Sequence, residues 1–549
     1  MHSVLLKIFS QKEDANMRTG FRKLCALMLA ALLLVSCCGV SVYARQPEKN
    51  ETPVIFIAGF VSTPTMDMET GDRVFPPDGK LVAEVFKEYA WSMVKSVIAR
   101  DYVALDSPLI NAAYRIFNPI RCDENGDPVN ASTTTSYVWP TQEEILAKYD
   151  PEKGYSASDN IYYSFDWRLD LKTLSSQFRD FVEYVVDVTG AQSVDVIGSS
   201  MGACVLTSYL YRYDSEYIRK AVFLSGAFQG ASVCGEPFAG KFSFDAETLL
   251  AFLSSVTGRD LKGELLDALI DALYQAGVVD GVITLANNIN EYAMQNIYSQ
   301  SLSYIFGRIP GFWALIPYDL YDEAKDSFIQ GIVTDEFYEK IDWYHEIQGM
   351  VPQILRGAME KGVSVSVLSK YGTSGIPAVP SQKNLTDMVV DTKYSSIGAT
   401  CALINEPFPE DVVQKIDDGA DRISPDRYID ASTCEFPEFT WFIKNLKHTM
   451  HPLSEYAFID ALFACEEQPT TETFAEYPQF LIFTREDEIE PLTAQNDYAI
   501  VSVPYRGKNV FERFRLFMED VAKMIRLMFR MLGEQIRTGS GPLFSVQDA

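Results

Sequence analysis

A serine between two glycines is the clearest indication of chemistry in this sequence. The segment Gly198 to Gly202 reads GSSMG and matches the pattern Gly-x-Ser-x-Gly. An apolar run at 194–197 precedes it, and a helical pattern at 201–213 follows it. A strand that turns sharply into a helix would present the hydroxyl of Ser200 at a helix N-terminus, where a developing anion is favoured. The motif therefore predicts that Ser200 is a nucleophile.

A serine hydroxyl is a weak nucleophile until a base removes its proton, and a histidine held by a carboxylate commonly supplies that base. The chain has four histidines. His2 lies in an export segment, and His345 precedes two of the predicted core strands. His448 and His451 follow the predicted strand at 440–444, where the chain order serine, aspartate, histidine places the base. We take His448 as the base because it lies nearer the strand, and His451 is the alternative.

The carboxylate that orients the histidine should lie between Ser200 and the histidine in the chain, after a strand. A strand is predicted at 363–368, and two aspartates follow it. Asp387 is our choice, and Asp391 is the alternative.

A tetrahedral intermediate needs two backbone N–H donors for its oxyanion. The N–H of Met201 is one predicted donor. The loop after the first predicted strand supplies the other, which we assign to Phe60 with Val61 as the alternative. No close-spaced cluster of cysteine and histidine indicates a metal, and the sequence predicts no cofactor.

Apolar runs alternate with amphipathic stretches along most of the chain. This pattern predicts an α/β fold with a mainly parallel sheet and flanking helices. The predicted strands are 53–57, 160–165, 194–197, 218–224, 363–368 and 440–444, the last closing the sheet, and the predicted helices are 171–189, 201–213 and 453–465.

The sequence predicts four regions. Residues 1–44 form an export segment and residues 52–465 the α/β domain. Residues 235–349 are a helical insertion, expected to cover the site as a lid, with a separate helical subdomain as the alternative. Residues 466–549 form an extension ending in a basic amphipathic helix. Such a helix can lie on a membrane surface or pack on its own domain.

The N-terminal region has a short basic stretch followed by an apolar run at 24–35, which is the length expected of a signal-peptide core. Small residues at 42–44 would allow cleavage to a soluble product. Alternatively, residues 34–37 resemble a bacterial lipobox, which would leave a lipid on Cys37. The protein is therefore expected to be secreted or held at the cell surface.

Charge and cysteine content narrow the partners and the covalent structure. The net charge of −28 over 549 residues disfavours nucleic acid as a partner, because an acidic surface repels phosphates. Six cysteines lie outside the export segment, an even number that permits disulfides without revealing their pairing. They are Cys122, Cys204, Cys234, Cys401, Cys434 and Cys465.

Four ordered segments resemble the lecithin:cholesterol acyltransferase family of α/β-hydrolases. Residues 165–169 (FDWRL) resemble the family's Y-D-W-R-L segment, and residues 198–202 resemble its serine turn. Residues 218–230 (IRKAVFLSGAFQG) resemble its segment with G-A-P-x-G-G, and residues 310–317 (PGFWALIP) resemble a lid segment. Order and rough spacing agree over about residues 52 to 460. The departures, with Met388 in place of a glycine and Phe228 in place of a proline, make the chain a distant relative.

The resemblance implies an α/β-hydrolase fold with a helical lid and a Ser–Asp–His triad. It implies lipid acyl esters as substrates, with water or a lipid alcohol as acceptor. It favours Ser200 and Asp387, and we expect Asp166 and Arg168 to form a structural ion pair near the site. The lid aromatics are expected to line an acyl pocket; they are Phe244, Phe252, Tyr304, Phe306, Phe312 and Trp313.

The sequence thus predicts an exported serine ester hydrolase of the lipase type, with O-acyl transfer as a variant. Its expected partners are lipid or other acyl-ester substrates, with peripheral membrane contact through the lid or the C-terminal helix. The alternative is a catalytically inactive protein that keeps the α/β-hydrolase core for binding.

Overall fold

An eight-stranded, mostly parallel sheet forms the centre of the protein. The structure, a computed structural model, describes residues 50–256, 261–383, 385–501 and 503–538; the export segment and Cys37 lie outside them. The strands are β1 (Val54–Ile57), β2 (Ile161–Tyr163), β3 (Val194–Ser199), β4 (Ile218–Leu224), β5 (Ser364–Tyr371), β6 (Thr440–Lys444), β7 (Phe480–Phe483) and β8 (Ile489–Pro491).

The order across the sheet is β8-β7-β6-β5-β4-β3-β1-β2. All neighbouring strands pair in parallel except β8, which runs antiparallel to β7. The inner strands β1, β3 and β6 are buried along their whole length. Continuous apolar runs rather than alternating ones are expected for strands covered on both faces. The predicted mixed α/β architecture with a mainly parallel sheet is confirmed at this level.

The six predicted strands are all present, but the prediction that 440–444 closes the sheet is wrong. β7 and β8 add two further strands beyond β6. β7 is the apolar run FLIF, fully buried, and it pairs with β6 from Phe442 to Lys444. The sheet therefore continues past residue 465, into the region expected to be a separate C-terminal extension.

Helices flank the sheet and fill the connections between its strands. They are α1 (Gly79–Ala99), α2 (Asp106–Phe117), α3 (Gln142–Leu146), α4 (Leu171–Thr189), α5 (Met201–Tyr213), α6 (Ser232–Phe238), α7 (Ala246–Val256), α8 (Leu261–Gln275), α9 (Val278–Asn296), α10 (Leu302–Ile305), α11 (Pro310–Trp313), α12 (Tyr321–Ala324), α13 (Asp335–Gly349), α14 (Val351–Glu360), α15 (Thr392–Ser395), α16 (Leu453–Ala464) and α17 (Val510–Thr538). Two small antiparallel sheets, 65–67 with 73–75 and 133–135, and 400–401 with 429–430, lie apart from the central one.

The described residues between β4 and β5 form a series of helices joined by turns and loops. Helices α6 to α14 occupy this stretch, and no described residue there belongs to a strand. Several of these helices share an apolar cluster of their own, which includes Phe238, Trp313, Tyr321 and Phe337. This agrees with the helical pattern predicted at 235–349.

Helix α17 packs along α8 and buries Leu527 and Met531. Its outward face carries large apolar side chains, among them Phe511 at 88% exposure and Phe529 at 70%. Among the helices that the structure describes, none is long and apolar enough to cross a membrane alone. The pair α8 and α9, bent by 78°, meets the length and composition criteria together.

Candidate active site

Ser200 stands at the sharp turn between β3 and α5. Its backbone has φ 54° and ψ −123°, a combination that L-residues rarely adopt. Two glycines, Gly202 after the serine and Gly59 in the loop after β1, leave no room for a side chain here. A Cβ added to Gly202 would lie 2.4 Å from the carbonyl oxygen of Ile57, and one added to Gly59 would lie 2.7 Å from Cβ of Ser200. The Gly-x-Ser-x-Gly pattern thus has the strand–turn–helix structure that the sequence predicts.

The strained backbone of Ser200 is held to the end of β4. Its N–H donates to the carbonyl oxygen of Leu224 at 3.1 Å. Its own carbonyl oxygen accepts from the N–H of Ala227 at 3.0 Å. Strain of this kind costs about 1–3 kcal/mol and persists only where the surroundings hold it.

Asp387 and His448 form a carboxylate–imidazole pair beside this turn. Nδ1 of His448 lies 2.7 Å from Oδ2 of Asp387, and the two residues are also joined through the backbone. Oδ1 of Asp387 accepts from the N–H groups of Val389 and Val390, at 3.0 and 2.8 Å. The structure therefore brings together the aspartate and the histidine that the sequence places first.

Met388, in the loop after Asp387, is one position where the sequence departs from the family that it resembles. Met388 occupies the position where the family has glycine, and it adopts φ 91°. Glycine reaches this region at little cost, whereas a methionine there is strained. The chain thus keeps the turn that presents the carboxylate although its glycine is replaced.

The environment of Asp387 fixes the state of the His448 ring. Burial raises the pKa of this carboxyl, but His448 and the amides of Val389 and Val390 more than offset it, and the pKa ends below its usual range. An ionised carboxylate only accepts hydrogen bonds, so Nδ1 of His448 carries the hydrogen. In the neutral ring Nε2 is then left with a lone pair, as a general base requires.

Ser200 and His448 line one cavity of about 370 Å³. Phe60 lines the same cavity. Within the described residues the Ser200 hydroxyl has no hydrogen-bond partner, so the bond to His448 is not formed in this structure. Catalytic hydrogen bonds are often long in ligand-free enzymes and close when substrate binds.

Two backbone donors at the cavity are unused. The N–H groups of Met201 and Phe60 donate to no described group. Met201 is the first residue of α5, whose N-terminal dipole favours negative charge. Both groups that the sequence predicts for the oxyanion hole are thus free to donate. The N–H of Val61, the alternative, also donates to no described group. Val61 has φ 55°, and neither Val61 nor Met201 is among the residues lining the cavity, so the alternative stays open.

The alternative aspartate has a different environment. Oδ2 of Asp391 accepts from the N–H of Ser232 at 2.8 Å, and its other oxygen has no partner within the described residues. Burial raises the pKa of Asp391 to about 6. It contacts neither candidate histidine.

The alternative histidine lines the cavity as well. His451 contributes to the same wall as His448 and Ser200, and its Nδ1 lies 2.9 Å from Oε2 of Glu455. The sequence analysis kept His451 as the alternative base and did not predict its pairing with Glu455. Its spacing of four residues from Glu455 at a helix start was a sign of the pairing.

The residues Asp166 and Arg168 form the ion pair that the sequence predicts. Arg168 is fully buried and donates to both carboxylate oxygens of Asp166, at 2.9 and 2.7 Å. It also donates to the backbone and side chain of Thr133. The pair ties β2 to the small sheet at 133–135, and Trp167 between them packs against Phe60 at 4.7 Å between ring centroids.

The lid aromatics do not line the Ser200 cavity, contrary to expectation. Phe312 packs against Phe60 at 5.1 Å between ring centroids and against Trp167 at 5.4 Å. Trp313 lies in the apolar cluster of the insertion with Phe238. Phe312 thus packs the insertion against the core, and Trp313 packs within the insertion.

The cavity has polar walls that sequence reasoning missed. Ser62, Asn160, Tyr162, Thr449 and Tyr456 line it beside Ser200. Asn160 directly precedes β2 and Tyr162 lies within it. Both were assigned only to a strand, and a strand pattern does not show which residues line a cavity.

The remaining sequence predictions concern disulfides and metal binding. All six cysteines outside the export segment are free thiols in the structure. In the described part of the chain, no group of three or more His, Cys, Asp and Glu side chains is arranged to hold a metal ion.

Comparison with known proteins adds no family. No protein-family profile and no curated protein matches the chain. Among solved structures, the chain is similar to one described as the Tle4-Tli4 complex, at 14% identity and a TM-score of 0.24, covering 59% of this chain and 75% of that one. It is also similar to KEX1(DELTA)P, a prohormone-processing carboxypeptidase from Saccharomyces cerevisiae, at 11% identity and a TM-score of 0.17, covering 60% and 66%. Likenesses this weak do not place the chain in a family.

Proposed function

We propose that this protein is an exported serine hydrolase of the α/β-hydrolase fold that cleaves acyl esters through an acyl-enzyme on Ser200. One observation carries the proposal: Ser200, in a strained turn, shares a cavity with His448, whose ring is held by the buried carboxylate of Asp387. A nucleophile, a base and the residue that orients the base are what acyl transfer requires.

The proposed reaction uses each group at a defined atom. Nε2 of His448 takes the proton of Ser200 as Oγ attacks the ester carbonyl, and the N–H groups of Met201 and Phe60 stabilise the oxyanion. The protonated ring returns its proton to the leaving alcohol as the C–O bond breaks. Water or a second alcohol then attacks the acyl-enzyme, with His448 as base again. Asp387 stays ionised throughout and holds the ring.

The substrates we propose are lipid-type carboxylic esters, with O-acyl transfer as a variant. The resemblance of residues 165–169, 198–202, 218–230 and 310–317 to an acyltransferase family supports this class. The outward face of α17 supports contact with a membrane surface, because large apolar side chains are exposed there beside Arg526 and Arg530. Replacing Phe511 and Phe529 by serine should then weaken sedimentation with vesicles containing anionic lipid.

A fluorophosphonate probe tests the central proposal. It should label wild-type protein at Ser200, and the wild type should hydrolyse p-nitrophenyl butyrate. Ser200→Ala should lose both while its circular dichroism and melting temperature show a folded protein. A folded wild type that neither reacts with the probe nor hydrolyses any ester would contradict the proposal.

The unformed hydrogen bond between Ser200 and His448 favours one competing function. A protein that kept the α/β core for binding alone would need no such bond. The same labelling experiment separates the two, since an inactive binding protein leaves Ser200 unmodified. Export is tested separately, by the mass of the mature N-terminus: it should begin near residue 45 or carry a lipid on Cys37.

A further inference from the structure

A second histidine faces the cavity of Ser200, and the reaction proposed above does not use it. Nδ1 of His451 is held by Oε2 of Glu455 at 2.9 Å, much as Nδ1 of His448 is held by Asp387. The ring packs edge-on against Phe56, with centroids 5.7 Å apart. Two imidazoles thus reach the same cavity, each fixed at Nδ1.

The partner of His451 is an ionised, fully buried carboxylate. Nζ of Lys370, also fully buried, lies 3.0 Å from Oε1 of Glu455. Nζ of Lys370 also donates a hydrogen bond to the carbonyl oxygen of Met450 at 2.7 Å, which holds the ammonium beside the carboxylate. Burial raises the pKa of Glu455, but Lys370 and His451 more than offset this, and the pKa ends below its usual range.

The ionised state of Glu455 fixes what His451 offers to a ligand. A carboxylate only accepts, so Nδ1 of His451 carries the hydrogen. In the neutral ring Nε2 then holds a lone pair, and it has no hydrogen-bond partner within the described residues. His451 therefore presents a hydrogen-bond acceptor to whatever enters the cavity beside Ser200.

The walls around this acceptor suit a hydroxylated ligand better than a hydrocarbon. Ser62, Asn160, Tyr162, Thr449 and Tyr456 bring hydroxyl and amide groups to the cavity. The hydroxyl of Ser62 and the amide N–H of Asn160 already donate to backbone carbonyl oxygens. An acyl chain lying there would leave Nε2 of His451 and the hydroxyls of Thr449 and Tyr456 desolvated and unpaired, which costs about 1–3 kcal/mol for each one. A small alcohol with several hydroxyl groups would satisfy them.

We propose that this cavity holds the alcohol part of the substrate and that Nε2 of His451 accepts a hydrogen bond from a second hydroxyl of that alcohol. The preferred substrates are then esters of polyhydroxy alcohols, such as glycerol or a sugar. This inference rests on the proposed hydrolase function. His451 is a binding residue in it and takes no part in proton transfer at Ser200.

Two butyrate esters that differ only in the alcohol test the proposal. Glycerol monobutyrate has free hydroxyls on its leaving group, and ethyl butyrate has none. In His451→Asn, kcat/KM for glycerol monobutyrate should fall about tenfold, mostly through KM, which is the effect of one lost hydrogen bond at the upper end of its range. For ethyl butyrate it should stay within about twofold.

A matched variant separates binding from structure. Asn reaches Glu455 but places nothing at the position of Nε2, whereas the longer His451→Gln can place its amide oxygen there. Gln should therefore recover part of the preference for glycerol monobutyrate. If Asn lowers the rates on both esters equally, or on neither, the inference is wrong.

Fluorophosphonate labelling separates the binding role of His451 from the hydrolase function of Ser200. Ser200 in His451→Asn should react with the probe at the wild-type rate, because His448 is untouched. Normal labelling together with no change in ester preference would overturn the role of His451 alone. Failure of the wild type to react would overturn the hydrolase proposal as well.

Discussion

Asp387 and His448 are joined twice. The side chains meet at 2.7 Å between Oδ2 and Nδ1, and the N–H of His448 donates to the carbonyl oxygen of Asp387 at 2.8 Å. The second bond fixes the backbone of the histidine loop against that of the aspartate loop. The orientation of the ring therefore depends on both loops together.

Asp387→Asn should remove activity while leaving the protein folded. An asparagine can offer an N–H to the ring and hold the wrong tautomer, so kcat should fall about 10³- to 10⁴-fold. Hydrolysis of p-nitrophenyl butyrate measures the loss. Asp391→Asn is the matched control and should keep near wild-type kcat, because Asp391 contacts no histidine. Loss of activity in the Asp391 variant alone would reverse our assignment of the two aspartates.

The stability of Asp391→Asn should depend on pH with a defined sign. Because burial raises the pKa of Asp391 to about 6, the folded protein holds this proton more tightly than the unfolded chain. Stability from this group therefore falls as the pH rises from about 4 through 6. The variant avoids this loss, so its free energy of unfolding relative to wild type should rise over that interval, by about 1–3 kcal/mol, and level off above pH 7.

Urea unfolding at pH 4, 5, 6 and 7.5 measures this difference. Asp387→Asn should show the opposite trend at lower pH, since the pKa of Asp387 is lowered. Its contribution is present above the unfolded pKa of about 4 and is lost as the pH falls below it, so this variant is also unfolded at pH 3. Parallel curves for wild type and Asp391→Asn would contradict the prediction.

Gly59→Ala should impair catalysis by displacing the nucleophile. The added methyl would lie 2.7 Å from Cβ and 3.2 Å from Oγ of Ser200, so the serine has to move. We expect kcat/KM to fall about a hundredfold, as displacements near 1 Å can do. Gly357→Ala, in α14 with no atom within 4 Å of the new methyl, is the control. It should keep full activity and gain about 0.5–1 kcal/mol of stability.

Substitutions at Met388 should follow its backbone conformation. At φ 91°, glycine is unstrained, so Met388→Gly should change the free energy of unfolding by less than about 1 kcal/mol and keep activity. Met388→Val places a β-branched side chain at the same φ and should cost about 1–3 kcal/mol. Thermal unfolding and ester hydrolysis compare the two. Equal losses in both variants would show that side-chain packing, not φ, controls this position.

The sheet was largely predictable because its inner strands are continuous apolar runs separated by helical patterns. The strand β7 was missed because its four apolar residues, 480–483, follow a stretch of loop after the helix expected to close the domain. A strand this short gives little periodicity, and only its pairing with β6 identifies it.

The site was predictable in part. Ser200 stands in a local pattern, so its position follows from a few neighbouring residues. The choice between His448 and His451 depends on which carboxylate each ring reaches, and that carboxylate is 61 residues away for His448 but four away for His451. No local sequence pattern indicates that Lys370 pairs with Glu455, the carboxylate that holds His451.

The bond from Ala227 to the carbonyl of Ser200 has a consequence for redesign of the chain. Ala227 opens the stretch that leads into the helices, and Ala231 at its end donates to the carbonyl oxygen of Leu315. A shortened protein without the helices would therefore have to retain residues 225–231. Excision back to β4 would remove one of the two hydrogen bonds to the carbonyl oxygen of Ser200 and leave only the one from Ala203. The strained bend would then be held less firmly, and the position of the hydroxyl would be less defined even with every other active-site side chain in place.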